Sequence, residues 1–351
     1  MRSGSPLLML LSAAAPTHGQ AILLREFISA SPPTPQSHAA TIAETRDGLV
    51  AAWFGGEHER DPGVDIWVAR HANGHWSAPQ DVADGRSSDG SPRQPTWNPV
   101  LFQPRSGPLM LFYKVGPDPE HWRGMLRLST DSGKHWSAAR PLPEGIVGPV
   151  KNPPVELADG VIVSPSSTEH ERWRIHFERS TDQGQTWRIA SPISSSDNIE
   201  AIQPSLLAWS EGHLQAIGRS KQDRLFSTRS RDGGRTWSAL TLLDVPNPNS
   251  GIAATVLADG RALLVYNPTL HGANWWEGRD VLAVALSSDG ERWRRVLTLE
   301  NSPGAEFSYP TVIQSKDGRV HIVYTWKRQR IAHVVLDPRA LGESADDRSR
   351  E

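Results

Sequence analysis

The side chains best suited to chemistry are His38, Glu59 and Asp61 of the loop "EHERDPGVD", Asn98, Lys151, Glu200, Gln203, Arg219, Arg279 and Tyr309. Arginine presents a planar fork that binds a carboxylate through two parallel hydrogen bonds, so Arg219 and Arg279 suit an anionic ligand. A loop carboxyl whose pKa is raised by its surroundings can donate a proton, which makes Asp61 and Glu59 candidate acids. His38 suits a base, and Tyr309 offers a phenol oxygen. Lys151, Asn98, Glu200 and Gln203 complete a polar set able to contact a ligand. Each has a plainer use as well: a tyrosine before proline packs at a strand start, arginines form surface ion pairs, and a histidine can be purely structural.

The elements that would position these side chains are repeats. "STDSGKHW" (129 to 136) recurs as "STDQGQTW" (180 to 187) and "SRDGGRTW" (230 to 237), shortens to "SSDGERW" (287 to 293) and decays to "ANGHW" (72 to 76). Between them lie six copies of a second pattern, such as "TIAETRDGLVAAWFGG" and "TVLADGRALLVYNPT". In each copy an apolar strand, a turn ending in glycine (Gly48, Gly107, Gly160, Gly212, Gly260, Gly318) and an alternating strand spell a β-hairpin. A third strand, the octet and a fourth strand follow, giving four strands in about 50 residues, which is a propeller blade. The reading is an all-β, six-bladed β-propeller over residues 22–340. Six hairpins but five octets predict that the last blade borrows its outer strand from "ILLREFIS" near the N-terminus, closing the ring.

The octets themselves read as scaffold. Asp131, Asp182, Asp232 and Asp289 can accept backbone N–H bonds within the turn, the glycine supplies a positive φ, and the tryptophan covers the hairpin. One octet per blade in the same turn cannot converge on one site. If turns and octets share one face of the disc, the opposite face receives the starts of first strands, the ends of second strands and the loops into third strands. That face carries the set above, with Trp97, Lys114, Asn152, Ser166 to Glu169, Asn249, His271 and Arg328.

Composition narrows the function classes. A formal net charge of −2 without long basic runs gives no reason to expect nucleic acid. With no cysteine, disulfides, thiolate metal sites and cysteine nucleophiles are excluded. No visible ligand cluster requires a metal, and no cofactor is expected. Arg2, the apolar run "PLLMLLSAAA" and the small residues of "GQA" predict a signal peptide over residues 1–21, hence a periplasmic or secreted protein; the run is too short for a membrane span. Residues 341–351 read as a polar, disordered tail.

The octets resemble the Asp boxes of the sialidase superfamily, and the chain is similar to bacterial neuraminidase-like proteins across residues 22–340. The resemblance implies an exo-glycosidase acting on a terminal acidic sugar, sialic acid or a related ulosonic or uronic acid, of a glycan. A neutral phenol suits as nucleophile there because a carboxylate would be repelled at an anionic sugar. By that pattern Tyr309 is the implied nucleophile, Arg219 and Arg279 are two of three carboxylate-binding arginines, and Asp61 or Glu59 is the acid. Two positions depart. His38 stands where the family has its first arginine, and Gln203 where it has the glutamate that activates the tyrosine; an amide cannot take the phenol's proton, so Glu200 or Glu306 would substitute, or the mechanism differs. Two other readings are open: a lyase or different glycosidase using His38 and Tyr309 as base and acid, and a carbohydrate-binding propeller without turnover.

Overall fold

Six antiparallel sheets form one ring. The structure, a computed structural model, describes residues 21–342 apart from 88, 191–192, 194–197 and 275. The expected leader and polar tail fall outside these residues, except for Ala21, Leu341 and Gly342. Leu341, read as the start of the tail, is buried against the last two blades because the short 3-10 turn Pro338–Ala340 folds its apolar side chain back into the core.

In the fourth blade the strands Ala201–Ala208, Leu214–Ser220, Arg224–Ser230 and Thr241–Pro246 run in order from axis to rim, and the other blades repeat the plan. The first blade splits its outer strand into His75–Trp76 and Gln80–Ala83, both paired to Asp65–Ala72. The sixth is completed by Ile22–Phe27 pairing with Arg330–Leu336, so the two ends of the chain share one sheet, as the missing octet predicted. Among the described residues no helix is long and apolar enough to cross a membrane.

The octets fasten neighbouring blades. In the second blade's copy the Ser129 hydroxyl accepts from the Gly133 N–H and donates to Asp131, whose carboxylate accepts from the N–H groups of Lys134 and His135. Hydrogen bonds from Thr186, by hydroxyl and by N–H, hold the Asp182 carboxyl down at about 2. The octet glycines Gly133, Gly184 and Gly234 have φ of 80°, 79° and 78°, and an added Cβ would press on Val50, Met110 and Val163. Each of those residues belongs to the preceding blade. The tryptophans follow suit, which corrects the expectation that they cover their own hairpins: Trp187 meets Phe112 edge-on, and Trp237 stacks on Phe177 at 3.6 Å, again one blade back. The physical reason is the blade stagger, which leaves the apolar face of the previous blade uncovered beside each octet. Trp237→Ala should therefore destabilise the whole ring by about 3–5 kcal/mol, seen as a lower denaturant midpoint with an unchanged slope.

Four innermost strands share a device that aims side chains at the axis. Their pairing slips between His38 and Thr41, Trp97 and Val100, Ile202 and Ser205, and Ser308 and Thr311. At each bulge one residue is left-handed: Ala39, Asn98, Gln203 and Tyr309 have φ of 55°, 37°, 56° and 52°. Bulges re-aim side chains near sites, and this backbone region costs a non-glycine residue about 1–2 kcal/mol. Freed N–H groups find partners across blade boundaries, Ala39 on the Thr325 hydroxyl and Gln203 on that of Ser167.

Candidate functional site

On the face opposite the octets a cavity of about 440 Å³ opens near the axis, lined by Glu59, Trp97, Asn98, Trp122, Glu169, Trp173, Gln203, Arg219, Lys221, Asn249, Arg279, Tyr309 and Arg328. Every blade but none of the octets contributes to it. The first strands supply Asn98, Gln203 and Tyr309 from their bulges, and the fourth blade's second strand supplies Arg219 at its end.

Three guanidiniums converge here. Arg219 and Arg279 donate to the same Asn249 carbonyl, at 3.2 and 3.5 Å, so they lie side by side. Glu306 then bridges Arg279 at 3.3 Å and Arg328 at 2.8 Å, and Arg328 reaches Glu59 at 2.6 Å. Burial opposes the charge on Glu306, but Arg328 and Arg279 outweigh it and hold the carboxyl below its ordinary value. Arg219 differs from the other two: among the described residues no carboxylate pairs with it, and its guanidinium lies over the rings of Trp173 at 5.1 Å and Tyr309 at 5.6 Å. The lining carries five cationic residues, Arg60, Arg219, Lys221, Arg279 and Arg328, against the carboxyl residues Glu59 and Glu169, with Glu306 and Glu200 pairing to lining cations, so cations outnumber carboxyl residues five to four.

Tyr309 sits between Arg219 and His38, whose imidazole centroid is 4.4 Å from the phenol ring. His38 is 3% exposed, and among the described residues its buried Nδ1 has no hydrogen-bond partner. Burial first, then the charges of Arg328, Arg279, Arg219 and Lys151, push its pKa well down, so the ring is neutral. Gln203 is equally enclosed, its Oε1 unpartnered.

Other residues from the sequence reading stand elsewhere. The Lys151 ammonium is turned inward to the carbonyls of Ile252 and Pro310 and the Asn152 side chain, tying three blades together beneath the pocket floor; ring closure leaves it no route to a ligand. Lys114, expected on the same face, is wholly buried on the Pro149 carbonyl. Glu200 pairs with Lys221 at 2.9 Å on the rim, away from Tyr309, and so is no substitute base. Asp61 accepts the Gly63 N–H at 2.6 Å within its own exposed loop and does not line the cavity. Glu59 does line it, bound to Arg328. The sequence reading assigned no role to Arg328, Trp173 or Glu169; an arginine and a carboxyl on the site face were the available signals. Among the described residues no group of three or more His, Cys, Asp or Glu could hold a metal ion.

A propeller with Asp boxes on one face and a cationic, tyrosine-bearing pocket on the other has the architecture of sialidase-like proteins. The chain belongs to the BNR repeat-like domain family, whose model matches residues 47–322. Among solved structures it is similar to a protein of unknown function from Dyadobacter fermentans (18% identity, 90% of this chain and 98% of that one, TM-score 0.72). It is also similar to the NanB sialidase of Streptococcus pneumoniae (12% identity, 92% and 71%, TM-score 0.69). A third is the Trypanosoma rangeli sialidase solved with sialic acid (18% identity, 88% and 55%, TM-score 0.68). No curated protein matches the sequence.

Proposed function

We propose that this protein is an exo-glycoside hydrolase that removes a terminal acidic sugar from a glycan. The observation that carries the reading is the convergence of Arg219, Arg279 and Arg328 beside Tyr309. The sugar carboxylate would lie against the guanidiniums, with Arg219 as the cation that no protein carboxylate has claimed. The third arginine then comes from the end of the sixth blade's second strand instead of the position held by His38. The Tyr309 oxygen attacks the anomeric carbon and the bond to the aglycone oxygen breaks; as the new bond forms the phenol proton becomes strongly acidic and passes to the neutral imidazole of His38, weak base though burial makes it. Glu306 is committed to two arginines and Gln203 is an amide, so His38 is the base left in contact with Tyr309. A periplasmic or secreted setting, inferred from the N-terminal segment, fits a glycan substrate.

The test is incubation with lactose-linked glycosides of sialic acid and glucuronic acid and with a uronate-containing polysaccharide. Release of the free acidic sugar without an ultraviolet band from an unsaturated uronate is the expected outcome. The band would instead identify a lyase, and binding without either product a lectin.

A further inference from the structure

Glu169 follows the third blade's second strand, Ile162–Thr168, and lines the pocket from the blade that lies across the axis from the sixth, which carries Tyr309 and Arg328. Two carboxyl residues line this cavity, Glu59 and Glu169. Glu59 is held in an ion pair with Arg328 at 2.6 Å. Glu169 has no ion pair among the described residues. Asp61 caps its own loop, and Glu200 is tied to Lys221. A glycosidic oxygen leaves on the side of the sugar facing away from the nucleophile, and its departure needs a proton unless the leaving group is itself acidic. With the carboxylate on the arginines, the aglycone would extend toward Glu169 and the aromatic wall of Trp122 and Trp173.

We propose that Glu169 is the proton donor to the departing glycosidic oxygen. This rests on the hydrolase reading above. In the first half the electron pair of the breaking bond goes to the aglycone oxygen, which takes the Glu169 proton. In the second half water attacks the anomeric carbon, the bond to the Tyr309 oxygen breaks, and the Glu169 carboxylate takes the water's proton while His38 returns its own to the phenolate. The surroundings suit the role. Burial pushes the Glu169 carboxyl up; Arg219 and Lys221 of the fourth blade pull the other way, and Glu120 and Glu59 reinforce the rise. The acid form therefore survives to higher pH than that of an ordinary carboxyl, and activity should fall on the basic side as pH rises through that raised value.

The experiment compares the protein with Glu169→Gln on glycosides of sialic acid and of glucuronic acid, each joined either to lactose or to 4-nitrophenol. The variant should lose about 100-fold or more in kcat/KM, which reports the first half alone, on the lactose-linked substrate, yet stay within about tenfold in kcat/KM on the nitrophenyl one, and the basic limb of kcat/KM should disappear. Thermal unfolding of the near-isosteric variant checks that the fold is kept. Equal losses of kcat/KM on both leaving groups would overturn the proposal by making Glu169 a binding group, and an unchanged kcat/KM on both would overturn it outright; in both cases hydrolysis by the parent leaves the hydrolase reading standing. No turnover by the parent on any of the four would remove both.

Discussion

Replacing Tyr309 with phenylalanine should leave a folded protein that turns over acidic glycosides at least about a thousandfold more slowly, because the covalent step has no second oxygen to use. The ring contacts that hold the site would persist: His38 packs against the ring at 4.4 Å and Arg219 lies 5.6 Å from its centroid, and neither contact uses the hydroxyl. The left-handed bulge at φ 52° belongs to the backbone, fixed by neighbouring blades, and phenylalanine tolerates it as tyrosine does. Steady-state kinetics beside thermal unfolding checks this. Turnover equal to the parent's at unchanged stability would take Tyr309 out of the reaction.

Arg219→Ala should weaken binding of a carboxylated sugar by about 2–5 kcal/mol and leave binding of the carboxyl-reduced analogue nearly unchanged. Arg279 and Arg328 already share Glu306, whereas Arg219 brings a guanidinium with no ion-pair partner among the described residues, held in place by the Asn249 carbonyl and the Trp173 ring. Titration calorimetry with the acid and its reduced analogue separates loss of charge recognition from loss of pocket shape. Arg328→Ala is a poorer probe: it takes the ion-pair partner from Glu59, leaves Glu306 with Arg279 alone and should cost stability as well. Equal weakening for both ligands would mean that Arg219 shapes the pocket and does not read the carboxylate.

The blades were legible because each is written locally. Hairpin turns at Gly160 or Gly260 and octets such as "STDQGQTW" carry their own turn chemistry, and the missing sixth octet even marked where the ring closes. The site face was legible too, since strand polarity alone places Tyr309, Gln203 and Arg219 together. What sequence could not show is which charges neutralise one another. Glu59, Asp61, Glu169, Glu200 and Glu306 are equivalent on paper; only the pairings of Glu59 and Glu306 with Arg328, Glu200 with Lys221 and Asp61 with its own loop leave Glu169 unclaimed. Lys151 is the converse case. It occupies a site-facing position in the strand pattern, but closure of the ring surrounds it with backbone carbonyls from two other blades. A resemblance read position by position also hides the third guanidinium, because Arg328 enters from the far end of the sixth blade while the expected position holds His38.

On this mechanism Tyr309 forms a bond to the anomeric carbon of an acidic sugar. Incubation with fluorinated inactivators built on sialic acid and on glucuronic acid, followed by intact-mass measurement and peptide mapping, tests it most directly. The account predicts a single adduct on the peptide carrying Tyr309, absent from Tyr309→Phe and slowed by excess free acidic sugar. An adduct on any other residue, or steady hydrolysis of acidic glycosides with no adduct from either inactivator, would contradict it.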